Sequence, residues 1–129
     1  MKFFSLITLL VITLSVHAQR VDLRNGMIFT DGKPYAVITR DNCGVFGNCR
    51  VTVSAPDGRT AMIISFDPQS FGGHTYAKVH FIKANKTARL EDLSTKTSKI
   101  AKIVVKANLF RNGELDETAA AGFLAANPE

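Results

Sequence analysis

Three dipeptides, Asn25-Gly26, Asp31-Gly32 and Asp57-Gly58, fall between short apolar runs and constrain the fold more than any other feature of the chain. Asn, Asp and Gly accept the positive φ angles that tight hairpins need, so each pair reverses the chain and sets neighbouring strands antiparallel. Met27-Ile28-Phe29-Thr30 lies between the first two pairs. A strand is expected over residues 34–40, with Pro34 at its start or on an edge because it has no N–H to give a ladder. Residues 50–54 alternate polar and apolar, and after the turn residues 60–66 are apolar enough for a central strand. The cleanest period of two covers residues 74–83: Thr75, Ala77, Val79 and Phe81 share the face expected in the core, and His74, Tyr76, Lys78, His80 and Ile82 share the other.

Beyond Ser94 the period lengthens. Ile100, Ile103, Val104, Ala107 and Phe110 recur at three- and four-residue steps, predicting an amphipathic helix over residues 97–110. Ser94, Thr97 or Ser98 is its expected N-cap, and Gly113 its exit. Asp116 should cap a second helix, with Ala120, Phe123 and Leu124 turned inward and Pro128 just past its end. The expected fold class is therefore α+β: an antiparallel β-meander of about five strands with two C-terminal α-helices packed on one face. Val79, Phe81, Ile100, Ile103, Val104 and Phe123 should share its core.

Residues 1–18 read as a secretory signal peptide: Lys2, an apolar stretch over residues 3–16, then Val16-His17-Ala18 with small residues where a peptidase cuts. Cleavage leaves residues 19–129 as a single domain of ordinary size, periplasmic or secreted, with no transmembrane segment. In an oxidising compartment Cys43 and Cys49, with Gly and Asn between them, are expected to form a disulfide. A zinc site finds no support, because His74 and His80 are far from the cysteines in sequence and about 20 Å from each other along one strand. No cofactor is expected.

The chain carries a formal charge of +5, or +4 without Lys2, and the excess lies in the second half. Between Pro68 and Gly113 nine basic residues face only Glu91 and Asp92. Lys99, Lys102 and Lys106 align on one side of the first helix, and Lys78 on the exposed strand face and Arg111 at the helix end extend the candidate binding patch. Outside the cytoplasm such a patch points to an anionic envelope component or a protein partner and away from nucleic acid. No G-x-S-x-G elbow, P-loop, dinucleotide fingerprint, H-E-x-x-H or EF-hand string occurs. The carboxylates at turns and helix starts are explained by capping.

The leader, the hairpin over residues 26–35 with Asp31-Gly32-Lys33-Pro34, and the string from Ala107 to Asp116 together resemble small exported bacterial proteins of unknown function. The resemblance implies an address and a shape, and no chemistry. The functional expectation is an exported, non-enzymatic binding or structural module of the periplasm or envelope. The alternative is a small secreted hydrolase, or an inhibitor of an extracytoplasmic enzyme, acting through the loops at residues 42–48 and 68–73.

Overall fold

Asn25 and Gly26 take φ angles of 50° and 79°, and Asp31 and Gly32 take 51° and 79°, the paired left-handed conformations of type I′ hairpin turns. The computed structural model describes residues 20–41, 49–66 and 76–129. The leader over residues 1–18, Cys43, and the loops at 42–48 and 68–73 lie outside the described residues.

These turns join β1 (Val21–Arg24), β2 (Met27–Thr30) and β3 (Lys33–Asp41). With β4 (Arg50–Ser54), β5 (Thr60–Phe66), β6 (Tyr76–Phe81) and β7 (Lys86–Glu91) they form one antiparallel sheet whose strand order is the chain order. Helix α1 (Thr97–Lys106), a ribbon of β8 (Phe110–Arg111) and β9 (Glu114–Leu115), and helix α2 (Glu117–Ala126) complete an α+β fold that is mostly sheet.

Seven strands in the main sheet replace the expected five or so. The two missed strands, β1 and β7, are its edges. β1 has four residues, none fully buried, and in β7 only Ala88 is fully buried while Lys86, Arg89 and Glu91 are exposed. With both faces of an edge partly wet, the apolar alternation that marks a strand fades.

Helix α1 also stops short of the expected Phe110. Asn108 turns left-handed at φ 54°; its N–H bonds the carbonyl of Val105, and the N–H of Leu109 reaches back to Val104. That is a Schellman ending, with Asn in the place Gly usually takes. Asn112 and Gly113, at φ 53° and 78°, then form the turn between β8 and β9 instead of a helix exit. The start of α1 has no side-chain cap on its flanking residue Lys96; Ser94 Oγ accepts the Lys96 N–H at 3.2 Å. Asp116 does cap α2, accepting the Ala119 N–H at 3.1 Å.

Strand parity builds the core. Ile38, Val53, Met62 and Phe81 stand in successive cross-strand register, as do Val51, Ile64, Val79 and Ala88, and all are buried. Ile100, Ile103 and Val104 of α1 and Phe123 of α2 meet Met62, Ile64, Val79 and Leu90 around a void of only about 10 Å³. The Phe123 ring packs edge-on against Phe81 at 5.8 Å. All six residues expected to share the core do so.

A bulge adds one contact that parity alone forbids. Ile28 pairs with Ala36 but Phe29 pairs with Pro34, which leaves Tyr35 as the extra residue of β3. Its ring lies edge-on to Phe110 at 5.6 Å, and its hydroxyl accepts the Phe110 N–H at 2.9 Å while lying 3.5 Å from the Val104 carbonyl it faces as donor. One side chain thus ties the sheet to both the end of α1 and the ribbon.

Candidate functional site

The alternation that buries Ile100, Ala101, Val104 and Val105 leaves Lys99, Lys102 and Lys106 exposed on the far side of α1. At 1.5 Å rise per residue, this i, i+3, i+7 set spans about 10 Å of one helix face. The first turn of α1 contains no acidic residue, and none of the three lysines takes part in an ion pair among the described residues. Lys106, in the last turn, is favoured by the helix dipole.

The other two expected patch residues lie elsewhere. Arg111 is exposed in β8, past the Schellman ending, and faces Glu114 across the ribbon. Lys78 alternates with Ala77 and Val79 in β6, so it projects from the opposite face of the sheet to the one that α1 touches. There it lies between Ser65 and Arg89 in register and 3.9 Å from the Glu129 carboxylate. The helix lysines form one set, and the sheet separates Lys78 from them.

The sheet face around Lys78 is closely partnered. His80 Nδ1 and Thr87 Oγ1 share a hydrogen bond at 3.0 Å, and Arg89 lies 4.1 Å over the Tyr76 ring while donating to Glu91 at 2.9 Å. Cys49, at the foot of β4, is buried at 5 % exposure and is not a free thiol. Among the described residues no group of three His, Cys, Asp or Glu side chains is placed to hold a metal ion, and no helix is long and apolar enough to cross a membrane.

Sequence reasoning missed a large concavity. A cleft of about 870 Å³ opens where the β6–β7 turn faces α2, with Phe81, Leu115, Ala120 and Leu124 among its walls and Lys83, Lys86 and Glu117 at its rim. A smaller hollow of about 410 Å³ adjoins it, between Arg59, Ile82 and Glu114. Lys83, Leu115 and Glu117 line both, and the Lys83 ammonium pairs with the Glu117 carboxylate on their common boundary. That contact, a hydrogen bond first and a charge attraction second, raises the Lys83 pKa above its ordinary 10.5. On the neighbouring turn the Arg59 N–H, bonded to Asp57 at 3.1 Å, is the main cause that lowers the Asp57 carboxyl below its usual range. The walls of the cleft come from segments about thirty residues apart, and only the register of β7 shows that Lys86 stands on the side of Ala88 and Leu90. No known family model, no curated protein and no solved structure matches the chain.

Proposed function

We propose that the chain is an exported, non-enzymatic binding module that meets an anionic envelope component through the lysine face of α1. The observation that carries the reading is the uncompensated set Lys99, Lys102 and Lys106, exposed together on a helix whose other face is fixed in the core. Aligned ammonium groups with no carboxylate beside them attract a polyanion, and the attraction weakens as salt shortens its range to about 8 Å at physiological ionic strength. Lys78 is no part of this surface, and Arg111, beside Glu114, is at most its margin. The leader at residues 1–18 and a Cys43–Cys49 disulfide belong to the same proposal, both consistent with an oxidising address. We also read α1 and α2 as a single cover over one sheet face, supported by the meeting of Val104 and Phe123 with Met62, Ile64 and Val79; such a cover holds the lysines outward.

Binding of the mature chain to anionic vesicles and to lipopolysaccharide, measured at low and at physiological salt, tests the reading. The wild type should bind at low salt and release as salt rises, and the Lys99→Glu, Lys102→Glu, Lys106→Glu triple variant should not bind. Equal binding by the variant, or none by the wild type at low salt, overturns it.

A further inference from the structure

The cleft between the β6–β7 turn and α2 lies apart from the α1 lysines, and it has its own chemistry. Its walls are apolar where they are deepest: Phe81 and Ala120 are buried, and Leu115 and Leu124 are half-buried beside them. Its volume of about 870 Å³ falls in the range of small-molecule sites, roughly 300–1,000 Å³.

The charges at the rim are unequal once their pairings are counted. Glu117 is held by Lys83, and Glu129 lies 3.9 Å from Lys78. Lys86 also lines the cleft and takes part in no ion pair among the described residues. Strand parity makes its position unusual. Lys86 pairs with Phe81 and shares its side of β7 with Ala88 and Leu90, so a cation stands at the mouth of a face that is otherwise apolar. A lysine in that place can lay its methylene stem along apolar walls and keep its ammonium at the rim.

We propose that this cleft binds a monoanionic amphiphile, an acyl or aryl chain with a single carboxylate, whose apolar part lies against Phe81, Leu115 and Leu124 and whose head group pairs with Lys86. An uncharged chain would leave Lys86 uncompensated, and a cationic one would meet it as a like charge. The exposed small residues Ala121 and Ala125, which also line the cleft, leave room for the chain along α2.

Titration calorimetry with dodecanoate, kept below its micelle concentration, tests the assignment on the mature chain. The expected result is saturable binding at one site, weakened about tenfold by Lys86→Gln, a loss equivalent to about 1.4 kcal/mol. Dodecyltrimethylammonium should bind at least about tenfold more weakly than dodecanoate, and Ala121→Phe, which fills the cleft from an exposed helix position, should abolish binding of both. The Lys99→Glu, Lys102→Glu, Lys106→Glu variant should bind dodecanoate as the wild type does, which separates this site from the helix surface. Circular dichroism and melting of each variant confirm that the fold is retained. Absence of saturable binding, equal affinity in Lys86→Gln, or persistence of binding in a folded Ala121→Phe variant overturns the proposal.

Discussion

Gly26 and Gly32 share a φ of 79° but not their surroundings. A Cβ on Gly26 would stand 3.0 Å from the Ile38 carbonyl oxygen, whereas one on Gly32 would meet nothing within 4 Å. Both substitutions to Ala force a left-handed residue, at about 1–2 kcal/mol, and only Gly26→Ala adds a backbone clash. Thermal unfolding should therefore rank Gly26→Ala clearly below Gly32→Ala; equal melting temperatures would mean the hairpin shifts freely past β3. Tyr35 supports a second prediction. Burial pushes its phenol above 10.0, against the lowering effect of the Phe110 N–H bond. A raised folded-state value means that folding favours the neutral phenol, so this contribution to stability is full below about pH 10 and is lost as pH rises through the folded value. Tyr35→Phe should cost about 1–3 kcal/mol at neutral pH by orphaning the half-enclosed Phe110 N–H. It should also flatten the alkaline fall in stability measured by urea unfolding between pH 8 and about pH 11. An identical alkaline slope in the variant would place the titration elsewhere.

At the scale of elements, turn chemistry was the most legible part of the sequence. Asn25-Gly26 and Asp31-Gly32 demand positive φ at both positions and obtain it, and Asp116 had no better use than capping α2. The same chemistry was present at Asn112-Gly113, but the helical spacing that continues to Phe110 hid it; Asn108, a residue without a strong helix-stopping signature, ends α1 four positions after Val104. The lysine face of α1 was readable because a helix repeats within a few residues. Lys78 was legible as well: parity put it on the face opposite Val79 and Phe81, which were expected under the helices, so joining it to the helix lysines overlooked the sheet between them. The cleft was illegible because its walls meet only in the folded molecule. Another element-scale prediction concerns the segment before β4, where Cys49 is buried and engaged. Mass spectrometry of the unreduced protein, produced in an oxidising compartment, should find Cys43 and Cys49 joined; by chain entropy, closing so short a loop contributes about 2 kcal/mol. Two alkylatable thiols in that sample would rule the bridge out.

At the scale of the whole molecule, an open meander has two edges, and the chain treats the β7 edge by folding Asn127 and Pro128 onto it. The Arg89 N–H donates to the Asn127 carbonyl at 3.0 Å, and Pro128 forms a bridge with Ala88. Pro128 has no N–H of its own, so pairing cannot pass beyond it. Removing residues 127–129 should change the melting temperature little but make the protein associate at lower concentration than the intact chain, as read by light scattering. Unchanged association would show that the charges on Lys86, Arg89 and Glu91 protect the edge unaided.

The order of the elements along the chain also sets a timetable. Ile28, Val53, Ile64 and Phe81 have all been synthesised before the first residue of α1, and Phe123 follows only after α1 and the ribbon. A chain emerging N-terminus first thus presents these sheet residues before Ile100, Val104 and Phe123, which meet Met62, Ile64 and Val79 in the fold, have been made. A product cut short ahead of Thr97 would keep the residues of all seven strands and lack those three apolar partners, so it would carry the exposed apolar surface that makes incomplete chains prone to aggregate.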